Sequence, residues 1–259
     1  MAAIENHTGQ FLRELPFFSN LPDADLAAFI KAAVLRSYGK QQRLFLHGDK
    51  ADRFFVMISG WVKIHRETPE GEEAVVALFT RGDVFGEAAI FGGADYPFSA
   101  EAAEETRVVE ISAAVLKTMA QNNPEIMRRV MDSMYREMRQ LQIEAEHLAL
   151  MSAPQRVSCL TLKLSADMIG GGGIFTFPYD KSLAAARLGM KPETFSRAFA
   201  QLKPVGVTVR GTEIRIDSFD RLAEFSCSHC SAQPGDCKVS RAFSRGESIA
   251  AGKKCKAAS

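Results

Sequence analysis

Residues 188–199 read Leu188-Gly-Met-Lys-Pro-Glu-Thr-Phe-Ser-Arg-Ala-Phe199, a glycine, a proline and a cationic run set between two amphipathic stretches. Upstream, Asp180 to Gly189 reads as a short helix closed by a glycine in the left-handed conformation. Downstream, Pro192 suits the first turn of a second helix running from Glu193 to Leu202. That register turns Phe195, Phe199 and Leu202 inward against Leu183 and Leu188. Glu193, Thr194, Ser196 and Arg197 then form the polar face. Two short helices joined by a glycine-bearing turn make a helix-turn-helix. Val207 to Ile216, turned at Arg210-Gly211-Thr212, predicts a hairpin wing beside it.

Charge follows the same segment. Residues 181 to 216 hold seven Lys or Arg (181, 187, 191, 197, 203, 210, 215) against two Glu (193, 213). That is a local +5 on a chain whose formal net charge is +1, so any nucleic-acid surface is a patch and not a global field. At 259 residues the chain is long enough for two domains. No stretch approaches the ~20 apolar residues that span a bilayer. The N-terminal MAAIENHTGQFLREL lacks a cationic region followed by an apolar one, which predicts a cytoplasmic protein with no membrane partner.

Ahead of the helix pair, the texture predicts an α+β chain. Residues 11 to 37 read as short helices with turns, Asp23 being placed to cap the second. From about 38 to 112, short β-forming runs (LFLH, RFFVMI, WVKIHRE, AVVALF, RVVEI) alternate with turns at Gly48-Asp49, Ser59-Gly60, Pro69-Glu70-Gly71, Gly82-Asp83 and Gly92-Gly93. No helical crossovers intervene, so an antiparallel roll is expected. Residues 113 to 151 turn helical. Met127, Met131, Met134, Met138, Leu141, Ala145 and Leu148 step alternately by four and three, the repeat of a coiled-coil seam, which favours a homodimer over a helix lying wholly on its own barrel. Ile126, Val130 and Ile143 are free to meet the barrel instead. Ser152 and Pro154 open the next helix. The expected organisation is a β-roll sensing domain over 1–120, a dimerisation helix over 121–151, a winged helix-turn-helix over 152–221 and a flexible, cysteine-bearing tail over 222–259.

This order of elements, with DKSLAAARLGM and PETFSR at its end, resembles the CRP/FNR superfamily of bacterial transcription regulators over roughly residues 11 to 221. The resemblance implies a homodimer whose second helix enters the major groove of double-stranded DNA, with RNA polymerase as a further partner. Glu193-x-x-Ser196-Arg197 is similar to the FNR class, whose site is TTGAT-N4-ATCAA. The CRP class carries Arg before the Glu and Gly in place of the Ser, where this chain has Pro192 and Ser196. The chemistry agrees: Arg197 can bond guanine N7 and O6, Glu193 can accept from cytosine N4, and Ser196 can reach a base edge. Lys181, Lys191 and Thr194 are assigned to phosphate, which positions without specifying.

The resemblance also locates an effector pocket at Gly86, Glu87, Phe98 and Ser99. In cAMP-binding members an arginine there neutralises the cyclic phosphate, and Phe98 stands in its place, which argues against cAMP. Haem is one candidate, with His47, His65 and His7 as axial ligands to weigh against ordinary surface or core histidines. No cysteine precedes Cys159, so the FNR-type N-terminal iron–sulfur cluster does not carry over. The tail carries Cys227, Cys230, Cys237 and Cys255, with His229 between the first two. The Cys-x2-Cys spacing suits zinc or an iron–sulfur cluster, and the composition equally suits a disordered tail with incidental thiols. A different class of function, a β-roll sensor acting on a protein partner instead of DNA, keeps the barrel but leaves the wing and recognition helix unused. An enzyme is disfavoured: the chain holds no P-loop, no HExxH and no evident nucleophile–base pair.

Overall fold

The computed structural model describes residues 2–67, 73–93, 95–169, 173–177, 180–227, 230 and 232. The turn expected at Pro69-Glu70-Gly71 lies outside them. So do most of the Gly170–Gly173 turn, His229, Cys237, Cys255 and the side chains of His7 and Cys227. Two compact units divide between Tyr135 and Arg136.

The first unit opens with α1 (Ala2–Glu14) and α2 (Asp23–Ala32) and continues through β1 (Ala33–Tyr38), β2 (Arg43–Phe45), β3 (Arg53–Ser59), β4 (Trp61–Glu67), β5 (Glu73–Thr80) and β6 (Val84–Phe85). After α3 (Glu87–Gly92) come β7 (Ser99–Ala102), β8 (Thr106–Ser112), α4 (Ala113–Asn122) and the start of α5 (Pro124–Leu150). The strands form two antiparallel sheets, ordered β1-β8-β3-β6 and β2-β7-β4-β5, as the punctuation by glycine predicts. Gly60 shows why one corner needs glycine. Its φ is +83°, and a Cβ would sit 2.5 Å from the Glu105 carbonyl oxygen.

Aromatic rings fill the roll. Phe45 stacks on Tyr96 with centroids 3.7 Å apart, and Phe85 stacks between Phe55 and Phe79 at 5.0 and 4.8 Å. Tyr96 keeps its hydroxyl satisfied by donating to the Arg53 carbonyl, 2.6 Å away. Burial raises its pKa above the ordinary phenol value, so the ring system stays neutral. Asp23 does not cap α2 as expected. It is the first helical residue, Pro22 precedes it as cap, and its carboxylate meets Arg13 at 2.9 Å. A carboxylate in that first turn still suits the helix dipole. Ile126 and Val130 join the barrel core, whereas Ile143 is buried outside that cluster.

The second unit holds the rest of α5, then α6 (Ala153–Ile169), β9 (Gly173–Thr176), α7 (Lys181–Arg187) and α8 (Pro192–Ala200). A short 3-10 turn (Lys203–Val205) leads to β10 (Val207–Arg210), β11 (Glu213–Ile216) and α9 (Phe219–Cys227). β10, β11 and β9 make a three-stranded antiparallel wing, with Gly211 at φ +63° in its hairpin turn. At the start of α6 the Gln155 side chain reaches back over the first turn: both the backbone N–H and the hydroxyl of Ser152 donate to its Oε1, at 2.9 Å each, which is one half of a capping box. α9 carries the fold to Cys227. Leu222 is buried in it, and the Ser226 hydroxyl pairs with Ser158 of α6.

Candidate DNA interface

Backbone geometry at the turn explains the Leu-Gly-Met-Lys-Pro run. Gly189 sits at φ +61°, its N–H bonded to the Ala186 carbonyl and the Met190 N–H to that of Ala185, each at 3.0 Å. That paired arrangement closes α7 in the Schellman manner, and a side chain at Gly189 would be strained. Arg156 of α6 adds a clamp, its Nη1 donating to the Leu188 carbonyl at 3.0 Å. Lys191 then caps α8 in extended conformation, and Pro192 fills the first helical position, where no N–H is missed.

The faces of α8 divide sharply. Phe195, Ala198 and Phe199 are buried, with Leu202 just beyond them. Phe195 and Phe199 stack at 5.5 Å, and Phe177, next to β9, closes edge-on at 6.3 Å to both. Glu193, Ser196, Arg197 and Ala200 are exposed along the other side at helical spacing. Lys181 and Lys191 are exposed, and Thr194 is half-buried. Neither Arg197 nor Glu193 has a hydrogen-bond or ion-pair partner among the described residues. A bidentate donor and a carboxylate acceptor therefore stand open on one rigid helix face, the form needed to read base edges.

The basic footprint is smaller than the sequence count. Arg187 is half-buried and pairs with Glu144 of α5, and Arg215 meets Asp217 at 2.9 Å. Both partners lie outside the 181–216 window. Two of its seven cations are thus matched inside the fold, and the outward charge is +3 instead of +5. Lys181, Lys191, Lys203 and Arg210 keep no such partner in the hydrogen-bond and salt-bridge network of the described residues.

Glu144 was invisible to sequence reasoning because its partner lies 43 residues away. Burial disfavours its charge, but the charge and hydrogen bond of Arg187, with Gln140 beside it, override that and hold the carboxyl below its ordinary range. A group with a depressed native pKa contributes stability above its unfolded value of about 4.3, lost as pH falls through the native value. Arg187→Met is therefore expected to cost about 1–3 kcal/mol at neutral pH by leaving a half-buried carboxylate unpaired. Glu144→Gln should flatten the acid limb of stability below about pH 4. Urea midpoints at pH 7 and pH 3 check both, and an unchanged acid limb in Glu144→Gln would count against the pair.

Along α5, the seam residues Met131, Met134, Met138, Leu141, Ala145 and Leu148 are exposed and Met127 is half-buried. Near the end of that helix, His147 is buried with Nε2 3.2 Å from Cys230 Sγ, a contact the cysteine spacing did not foretell. Burial, with Lys163 adding to it, lowers the His147 pKa and favours the neutral ring. Of the four proposed metal-binding cysteines, only Cys230 has a described side chain. His47 is exposed, and its N–H donates to Ser99 Oγ at 3.0 Å; His65 is fully buried on β4.

A β-roll followed by a winged helix-turn-helix with an exposed arginine on its second helix defines a DNA-binding regulator architecture. Comparison with known proteins agrees. Residues 35–123 match the family described as cyclic nucleotide-binding domain, and residues 155–225 match the Crp-like helix-turn-helix domain. The transcriptional activator FnrA of Stutzerimonas stutzeri is 30% identical over 78% of this chain and 84% of its own. The CRP-like cAMP-activated global transcriptional regulator of Mycobacterium tuberculosis is 26% identical over 83% of this chain and 97% of its own. A crystal structure from Ruegeria pomeroyi, assigned provisionally to the cyclic nucleotide binders, is 37% identical with a TM-score of 0.64, covering 87% of this chain and 99% of that one. The chain belongs to the CRP/FNR family of transcription regulators. The Stutzerimonas and Mycobacterium relatives are both transcription regulators. No helix among the described residues is long and apolar enough to cross a membrane.

The family implies a cyclic nucleotide, and the residues here do not fit its anionic phosphate. Phe98 is half-buried against the barrel core where a cation would be required. The Ser99 hydroxyl accepts from the His47 backbone N–H, and Glu87, the one ionisable residue of the four, is an acid only 2% exposed. Gly86, Glu87, Phe98 and Ser99 thus include no cation to neutralise a buried phosphate.

Proposed function

We propose that this chain is a homodimeric transcription regulator that reads a TTGAT-N4-ATCAA-like palindrome under an effector other than cAMP. The observation that carries the reading is the exposed Glu193–Ser196–Arg197 face, held on a core of Phe195 and Phe199 and without hydrogen-bond or ion-pair partners among the described residues. Arg197 takes guanine through N7 and O6, Glu193 accepts from cytosine N4, and Ser196 reaches the neighbouring base edge. Lys181, Lys191 and Thr194 grip phosphate and set the register. The seam on α5 from Met127 to Leu148 pairs two copies, so that a two-fold protein meets a two-fold site. The effector acts from the Gly86–Glu87–Phe98–Ser99 region by binding two arrangements of the dimer unequally, and RNA polymerase is the further partner of the DNA-bound dimer.

A gel-shift titration tests the reading. The chain is expected to bind the TTGAT-N4-ATCAA duplex at least ~10³-fold more tightly than a scrambled duplex, with affinity falling linearly in log salt. Added cAMP should leave both constants unchanged. Equal affinity for the two duplexes would overturn the assignment and favour a β-roll sensor acting on a protein partner.

A further inference from the structure

One face of the second sheet carries a polar cluster that DNA reading does not use. Lys63, His65 and Glu67 alternate along β4, Glu73 begins β5, and Glu101 lies on β7. The β4–β5 register sets Glu67 directly opposite Glu73, a like-charge pair that destabilises a bare hairpin. Beside it, His65 has 0% exposure, and neither ring nitrogen has a hydrogen-bond partner among the described residues. Buried polar atoms of this kind are seldom left unsatisfied.

Distances decide what the cluster can hold. His65 Nε2 lies 3.8 Å from Glu67 Oε1 and 3.9 Å from Glu73 Oε2. Both are too long for an N–H···O bond, which closes at about 2.7–3.2 Å. They are close to the edge of a coordination polyhedron: ligands at ~2.0–2.2 Å from one ion stand roughly 3.4 Å apart in tetrahedral geometry. The three donor atoms lie within 4.8 Å of one another. Two cations are already nearby. Lys63 Nζ donates to Glu73 Oε2 at 2.6 Å and stands 3.1 Å from Glu101, and Arg43 stands 3.7 Å from Glu67. They offset two of the three carboxylates and leave one negative charge over. Each carboxylate has lone pairs beyond those the ammonium uses.

We propose that His65, Glu67 and Glu73 form a binding site for a divalent first-row transition-metal cation, with zinc as the probe. One imidazole nitrogen and two carboxylate oxygens suit such an ion better than calcium or magnesium, which prefer oxygen alone. The more exposed Glu67 is the entry side, and His65 forms the floor. Binding joins the last residue of β4 to the first of β5 and removes their repulsion, fixing the hairpin end. The site is independent of DNA recognition and stands or falls apart from it.

The test uses the full-length chain with Cys227, Cys230, Cys237 and Cys255 replaced by serine, so that thiolates cannot take the ion. After chelator treatment, zinc is titrated calorimetrically and thermal midpoints are read with and without it. One zinc per chain is expected, with a raised midpoint. Glu67→Gln with Glu73→Gln should weaken binding by more than the ~10–100-fold that even an outer-shell partner is worth, and His65→Gln likewise. His47→Ala should bind as the parent does. Should His65→Gln fail to fold, the two glutamine replacements, at half-exposed positions, decide alone. No zinc uptake by the parent, or affinity in the double glutamine variant within threefold of the parent, would overturn the site.

Discussion

Arg197→Ala is expected to weaken binding to the TTGAT-N4-ATCAA duplex by about 1–3 kcal/mol per half-site and to flatten the preference at a single base pair. The side chain is exposed, has no partner inside the described fold and contributes nothing to the Phe195–Phe199 core, so its loss should leave the unfolding midpoint unchanged. Lys191→Ala separates positioning from reading. It should lower affinity for every duplex alike and reduce the salt slope by about 1, because a phosphate contact releases counterions without consulting sequence. The measurement is competition binding against duplexes carrying each single-base change. If Arg197→Ala kept the parent's full ranking of those duplexes, the arginine would not be the guanine reader.

What the sequence disclosed tracks the range of the interactions responsible. The turn at Gly189 and Pro192 is local physics: a left-handed residue and a residue without an N–H each fit few places, so the helix pair could be placed from a dozen letters. The roll was legible for the same reason, through glycines at its corners. Matching of charges was not. Arg187 looks like any cation on a recognition motif, and only the fold brings Glu144 to it across 43 residues of chain. The outward charge of the motif was overstated accordingly. Asp23 failed as a cap through a shift of one residue, the usual uncertainty at helix ends. The His65 cluster was out of reach because it depends on strand register. A bulge lies between Ile64 and His65 in the β4–β5 ladder, and no letter of the sequence announces it. His147 beside Cys230 is the same kind of case, a helix residue and a tail thiol joined over 83 positions.

Leu141→Glu is expected to convert the proposed dimer to monomer and to abolish tight binding to the palindrome. Met131, Met138, Leu141 and Leu148 are 62%, 47%, 51% and 56% exposed in the single chain, a continuous apolar stripe on one face of α5. Large apolar side chains in a row of this kind mark a surface that a partner covers. The steps of four and three are those that interlock with a second helix, and methionine is adaptable enough to pack against its own copy. Burying a leucine of this size is worth ~1.5–3 kcal/mol, and the two-fold axis makes each substitution count twice. The loss is then about 3–6 kcal/mol before the cost of facing carboxylates, which raises the dissociation constant by ~10²–10⁴. A lone winged helix contacts one half-site, so the shift in DNA affinity should follow the shift in self-association and disappear when the variant is tethered as a dimer. Sedimentation equilibrium reads the first quantity and the palindrome titration the second. A Leu141→Glu chain that sedimented as a dimer would place the self-association surface elsewhere than on α5.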